Sequence, residues 1–281
     1  MTEKNWAERS AIFSRLFGVN ISRARDRVAT WLIRLHISPD TLTICGLFVT
    51  IAAAGFLTAG AGDAPGSGSG KSWWGVIAAL TLMGASAFDM LDGAVARLRE
   101  QMTRRGAFLD SCCDRLADGV IFLGIMTYYL RHPEAPNSRL FAILSIITLI
   151  NAQCISYVKA RAENFIESCP VGYWQRGERM VAILLGLFSG HTATAIVLLA
   201  VSSSFTVLRR MVFGYRQIRR REQNQPLIDP KARPVGICRL ALWRYRRGSP
   251  HYDLITAANI CFILFVDLQQ NQCIAFIAKI L

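Results

Sequence analysis

A chain of 281 residues with 52% hydrophobic and only 18% charged residues is too apolar for a soluble domain of this size. Its apolar residues cluster into runs near the ~18–20 residues that cross a bilayer as a helix, which excludes an ordinary globular fold and points to an all-α integral membrane protein. The net charge of +13 fits Lys and Arg gathered in cytoplasmic loops and against anionic headgroups, so no nucleic-acid partner is expected.

In chain order, the polar stretch Met1 to Glu8 offers no cleavable signal peptide. From about Ile12 to Leu35, Arg15, Arg23, Arg25, Arg27 and Arg34 interleave with Ile21, Val28, Trp31, Leu32 and Leu35 at helical spacing, which predicts an amphipathic helix on the membrane surface. Ser38-Pro39-Asp40 supplies a helix start for a first span over about Thr41 to Ala59. A Gly/Ser-rich turn from Gly62 to Lys71 leads to a second span that begins near Trp73, is apolar to Phe88 and continues past the bilayer surface. A third runs from near Gly106 to about Leu130, ahead of Arg131-His132-Pro133, and a fourth covers about Leu140 to Tyr157. A fifth, about Met180 to Phe188, is short unless it begins near Gly177, and a sixth covers about Thr192 to Leu208. The expected fold is therefore six transmembrane helices after a surface helix, divided as an N-terminal region 1–37, a membrane domain 38–212 and a basic extension 213–281.

Charge sets the orientation. The N-terminal segment, the turn with Arg97, Arg99, Arg104 and Arg105, the loop with Lys159, Arg161, Arg176 and Arg179, and the stretch Arg209 to Arg221 are all basic, which places them on the cytoplasmic side of the membrane. Beyond Arg221 lie a linker with Pro226, Pro230 and Pro234, a patch with Arg239, Arg244, Arg246 and Arg247, and an apolar run from Leu254 to Val266 that is short for a span and suits a surface or docking helix. The eight cysteines are scattered with no C-x-x-C pair, as buried thiols rather than a zinc site or a disulfide framework.

The chemistry is concentrated between Phe88 and Gly119. Asp89, Asp92, Gly93, Ala96 and Arg97 form D-x-x-D-G-x-x-A-R; eight residues later Gly106, Asp110 and Asp114 form G-x-x-x-D-x-x-x-D. Helical spacing puts each acid pair on one face, and a tight hairpin of two helices can aim all four at one point. Four carboxylates brought together near a bilayer repel one another and need compensating positive charge. Mg²⁺ or Mn²⁺ answers that need, preferring oxygen ligands and bridging phosphates, so a diphosphate substrate fits better than a neutral one. Gly93, Ala96 and Gly106 leave room for a ligand, although small residues at helical spacing also serve plain packing, and Arg97 suits a phosphate. Asp118, a turn beyond Asp114, is either a helix-end charge or a partner of the site. Eight specified residues, each expected about once in twenty, make a chance match negligible.

This pattern resembles the signature of the CDP-alcohol phosphotransferase family of membrane enzymes, over about Ser38 to Leu208. The resemblance implies six transmembrane helices, a homodimer, and a cytoplasm-facing site with divalent metal. It implies transfer of the phosphatidyl group of CDP-diacylglycerol to a small alcohol with release of CMP. On that basis Asp89, Asp92 and Asp110 are metal ligands, and Asp114 binds metal or acts as the general base on the acceptor hydroxyl. Gly93, Ala96, Arg97 and Gly106 cradle the cytidine diphosphate moiety. Pro39-Asp40-Thr41-Leu42-Thr43 resembles the family's segment at the first span, which places Asp40 and Thr43 near the nucleotide, where a helix cap is the plainer account of either residue alone.

The acceptor depends on other residues. Ser156, Lys159, Arg161, Arg176 and Arg179 gather on the cytoplasmic side, where topology alone calls for cations. The string Ser156-Tyr157-Val158-Lys159-Ala160-Arg161-Ala162-Glu163 is similar to one in prokaryotic phosphatidylinositol phosphate synthases, in which such residues bind the phosphate of inositol phosphate. Gly177 stands where proline is expected, and the extension has no counterpart. A phosphorylated acceptor follows, inositol phosphate first and glycerol 3-phosphate second. Two other classes fit less well: an ion-coupled transporter would disperse its acids along the membrane normal, and a prenyl-diphosphate transferase spaces its aspartates differently.

Overall fold

The computed structural model describes residues 23–62, 73–100, 102–227 and 250–268. The Gly/Ser-rich turn, the arginine patch at 239–247 and the start of the predicted surface helix lie outside them. Eight helices appear among the described residues: α1 (23–34), α2 (Pro39–Gly60), α3 (Trp74–Leu98), α4 (Arg104–Arg131), α5 (Ser138–Ala162), α6 (Arg176–Ser189), α7 (Thr192–Glu222) and α8 (Pro250–Phe265). They fall into two compact units, one of Met1–Ile51 with Thr81–Ala117, the other of Ala52–Leu80 with Asp118–Leu281.

In the first unit α1 stops in a left-handed residue. His36 has φ 58, its N–H reaches the Ile33 carbonyl at 3.0 Å, and the Ile37 N–H reaches that of Leu32 at 3.2 Å, so the last carbonyls are satisfied. Ser38 then caps α2, its hydroxyl 3.1 Å from the Thr41 N–H, with Pro39 at the first helical position, where its missing N–H costs nothing. Ala29, Leu32, Leu42, Ala94 and Val95 make a small core that joins α1 to the start of α2 and the end of α3. Arg99 fastens the same corner by donating to the Ile33 carbonyl at 3.2 Å.

In the second unit α5 and α6 pack on α7, and α8 packs on α6 and α7. The second half of α4 comes so close to α2 that a Cβ on Gly124 would sit 2.8 Å from the Ala54 carbonyl oxygen, which explains glycine there. Asn151 of α5 donates to the Ala200 carbonyl at 3.0 Å and the Ser204 hydroxyl at 2.9 Å on α7, a polar tie of the kind that joins helices in lipid. The connection from α5 to α6 is bolted by Arg210, which is buried and donates to the Val171 carbonyl at 2.8 Å and the Ile155 carbonyl at 2.6 Å.

Four described helices, α2, α3, α5 and α7, are long and apolar enough to cross a membrane. Large apolar side chains such as Phe48, Met83, Ile150 and Leu208 stand exposed on them, as lipid-facing residues do. The other two predicted spans do not qualify on length and composition, for different reasons. α4 has 28 residues but carries Arg104, Arg105, Asp110, Asp114, Arg115 and Asp118 between its start and its middle turn, and α6 has only 14 residues. The sixth predicted span ends at Leu208, whereas α7 runs on to Glu222 and closes on Arg219, Arg220 and Arg221, cations that suit a helix C-terminus. The predicted boundary after residue 212 therefore falls inside a continuous helix. The six described cysteines are free thiols.

Candidate active site

α3 and α4 carry the four aspartates, of which three come together rather than the four that the spacing suggests. Asp89 and Asp92 of α3 and Asp110 of α4 each present a carboxylate oxygen within 4.8 Å of the others. Asp92 is 6% exposed and Asp89 and Asp110 are half-buried. Three oxygen donors at that separation fit a hard divalent cation, which draws them together and offsets their repulsion. Asp114, one turn further along α4 and half-buried, stands outside this three-oxygen group.

The start of α2 belongs to the same unit and supports the acids. The Thr43 hydroxyl donates to Asp92 Oδ2 at 2.6 Å, which fixes the most buried ligand of the three. Asp40 Oδ1 lies where a Cβ on Gly106 would stand 3.5 Å away, and that Cβ would also press on Thr103 Oγ1 at 3.2 Å. Asp40 thus stands beside the first turn of α4, whose N–H groups favour negative charge. At Gly93 a Cβ would meet only the Arg97 guanidinium, at 3.8 Å, so the helix face there is open and the exposed arginine folds over it. Ala96 is half-buried on the same helix.

The predicted acceptor residues belong to the second unit. Ser156 is half-buried near the end of α5, and Lys159 and Arg161 are exposed, with Arg161 over the Phe165 ring at 5.0 Å. Arg176 is half-buried in the first turn of α6. Arg179 is 2% exposed; it donates to Asp118 Oδ2 at 2.6 Å and to the Trp174 carbonyl at 3.3 Å. Asp118 is thus neither a helix-end charge nor part of the acid group but the counter-ion of a buried arginine.

Several contacts that position the site escape sequence reasoning. The resemblance places Thr43 near the nucleotide, but its bond to an acid 49 positions away has no local signal. Asp118 does leave one, because it continues the four-residue ladder of Asp110 and Asp114 and calls for a cation elsewhere. Arg210 follows an apolar run and reads as a positive-inside charge, yet it is buried.

The family model for CDP-alcohol phosphatidyltransferases matches residues 36–208. A phosphatidylinositol phosphate synthase of Mycobacteroides abscessus is 38% identical over 197 residues, 68% of this chain and 83% of that protein. An archaetidylinositol phosphate synthase of Methanothermobacter thermautotrophicus is 35% identical over 66% of this chain and 87% of its own length. The crystal structure of Mycobacterium tuberculosis phosphatidylinositol phosphate synthase with CDP-DAG bound superposes with a TM-score of 0.60 at 31% identity, covering 69% of this chain and 94% of that one. The same enzyme in complex with manganese and citrate gives 0.59, over 68% and 88%.

Proposed function

The chain belongs to the CDP-alcohol phosphatidyltransferase family, and from that premise we infer that it transfers the phosphatidyl group of CDP-diacylglycerol to the hydroxyl of inositol phosphate. The observation that carries the reaction is the convergence of Asp89, Asp92 and Asp110 within 4.8 Å, on a motif that has Asp114 one turn away. The acceptor follows from the similarity to inositol phosphate-using synthases in two domains of life and from the basic residues of α5 and α6.

Asp89, Asp92 and Asp110 would hold Mg²⁺ or Mn²⁺, which supplies neutralisation of diphosphate charge and polarisation of a phosphoryl oxygen. Asp114, outside the ligand group, is left to take the proton of the acceptor hydroxyl. The acceptor oxygen bonds to the β-phosphorus, the bond from that phosphorus to the CMP oxygen breaks, and CMP leaves. Gly93 and Ala96 give the nucleotide room, and Arg97 and the turn around Gly106 meet its phosphates, with Asp40 and Thr43 beside them. Ser156, Lys159, Arg161 and Arg176 bind the acceptor phosphate, with Arg179 as a further cation of that set. Six spans, a homodimer and a site on the cytoplasmic face of a prokaryotic cell membrane complete the proposal. Under it α4 and α6 cross the bilayer as protein-packed helices.

Purified protein with CDP-diacylglycerol and Mg²⁺ or Mn²⁺ should release CMP in the presence of inositol phosphate, above glycerol 3-phosphate, serine or inositol. Chelation should abolish the release. Asp114→Asn should lose about 10²–10⁴-fold in kcat, the usual worth of a general base, while CDP-diacylglycerol binding is retained. Full activity in that variant would remove Asp114 from its role, and preference for another alcohol would replace the acceptor.

A further inference from the structure

The family match ends at residue 208, yet α8 lies beyond it and packs on α6 and α7. Its start is tied to the start of α6: the Tyr252 hydroxyl donates to Glu178 Oε1 at 2.7 Å, and Thr256 Oγ1 is 2.9 Å from the Tyr173 hydroxyl. Its far end is tied to the start of α7, where the Thr194 hydroxyl donates to the Val266 carbonyl at 2.7 Å and accepts the Leu268 N–H at 3.2 Å. Between these ties α6 and α8 flank a mainly apolar cavity of about 360 Å³. Its walls follow Gly177 to Leu185 on α6 and Tyr252 to Ile263 on α8, ~12 Å and ~16 Å of helix at ~1.5 Å per residue. Spread over that length, the volume makes a channel ~5–6 Å wide, the room that one alkyl chain needs when its carbons keep the ~3.5–4.0 Å spacing of packed groups.

The lining changes along the channel. The end beside the start of α6 carries Tyr173, Trp174 and Tyr252, with the Tyr173 ring centroid 4.8 Å from that of Trp174 and 5.3 Å from that of Tyr252. Amphipathic rings of this kind gather at the level of lipid headgroups. The other end is walled by Val181, Leu185, Ile260 and Ile263, with the amide of Asn259 beside them. Gly177 and Val181 are exposed, and a Cβ on Gly177 would meet nothing within 4 Å, so the channel opens sideways along α6. Phe188 on α6 and Leu254 and Phe265 on α8 are exposed as well, as lipid-facing side chains are. Amphipathic at one end, apolar at the other and open to the side, the channel has the polarity order of a lipid in its leaflet. Resting on the membrane placement of α6 proposed above and not on the reaction, we propose that this channel is a binding site for one acyl chain of a bilayer phospholipid. The headgroup end of that chain lies level with Tyr173, Trp174 and Tyr252. The extension beyond the family's common region thereby builds a lipid site against α6.

The probe is a phosphatidylcholine with a diazirine midway along one chain, carried as a small share of phosphatidylethanolamine and phosphatidylglycerol vesicles that hold the full-length protein. After irradiation, peptide mass spectrometry should find adducts on Val181, Leu185, Ile260 or Ile263 about fivefold above those on Phe48 and Ile150, exposed apolar side chains of α2 and α5 that meet lipid only as a surface. Gly177→Phe and Ile260→Trp each put a ring into the channel. Each should cut the α6 and α8 adducts about fivefold and leave those on Phe48 and Ile150 within about twofold, with thermal melting in detergent showing that the variant folds. Should one variant not fold, the parent's ratio and the other variant decide. Unlabelled phosphatidylcholine should compete with the probe, and CDP-diacylglycerol no better. Adducts at the surface level in the parent, adducts that persist in a folded variant, or selective displacement by CDP-diacylglycerol would each overturn the proposal, the last by giving the channel to the substrate. A protein that releases no CMP with any acceptor would overturn the proposed function and leave this site standing.

Discussion

The hydrogen bond from Thr43 to Asp92 gives a carboxylate ligand a fixed direction. Groups that orient metal ligands typically contribute about 10–100-fold to metal affinity or activity. Thr43→Val keeps the shape and removes the donor. It should raise the Mn²⁺ concentration for half-maximal CMP release by about tenfold, with maximal rate largely recovered at saturating metal; a metal titration reads this directly. That α3 and α4 bring acids together was legible in the sequence, because Asp89/Asp92 and Asp110/Asp114 obey helical periodicity. The division among them was not: three form the compact group and Asp114 stands apart, which spacing alone does not decide. The bond of Thr43 to Asp92 and the burial of Arg210 were hidden for a related reason, since each residue bonds a partner far along the chain and its neighbours in sequence offer a simpler account of it.

Between elements, the pair of Asp118 and Arg179 links α4 to α6 at 2.6 Å, with side chains 7% and 2% exposed. Removing one partner of so buried a pair leaves the other charged and unsolvated, at a cost of about 3–5 kcal/mol. Asp118→Asn should therefore lower the melting temperature in detergent sharply. The double change Asp118→Leu with Arg179→Met should restore most of it, because apolar side chains of similar volume often replace a buried pair without loss. If Arg179 also serves the acceptor, the restored protein will remain poor in inositol phosphate turnover, so thermal melting and CMP release together separate its two roles. Most helix positions could be read from apolar runs and from Ser38-Pro39 and His132-Pro133. The ends were less legible: α7 passes the predicted end of its span by fourteen residues, to Glu222, because helices continue into water wherever nothing in the sequence stops them.

At the scale of the whole chain, the charge asymmetry that assigns basic loops to the cytoplasm makes a direct prediction. In a cysteine-free background, a cysteine placed at Lys159 should react with an impermeant maleimide only from the cytoplasmic face. One at Glu134, between α4 and α5, should react only from the other face. Labelling of both from one side would break the six-span arrangement. The membrane class was legible from composition. Length and composition alone mark four described helices as spans, since α4 carries its chemistry within its own length and so dilutes the apolar signal on which such counting depends.

The connection between α5 and α6 has one point with no freedom. Gly172 has φ 103, and a Cβ there would lie 2.4 Å from Thr206 Cγ2, a conformation and a contact that no other residue accepts. Its neighbours are tied as well, Cys169 N–H to Glu163 at 3.2 Å and the Val171 carbonyl to Arg210 at 2.8 Å. Exposed positions such as Asn164 and Glu167 lie between those ties. For an engineer, this loop is a short stretch with locked ends. Its exposed positions can be replaced while the helices on either side keep their register.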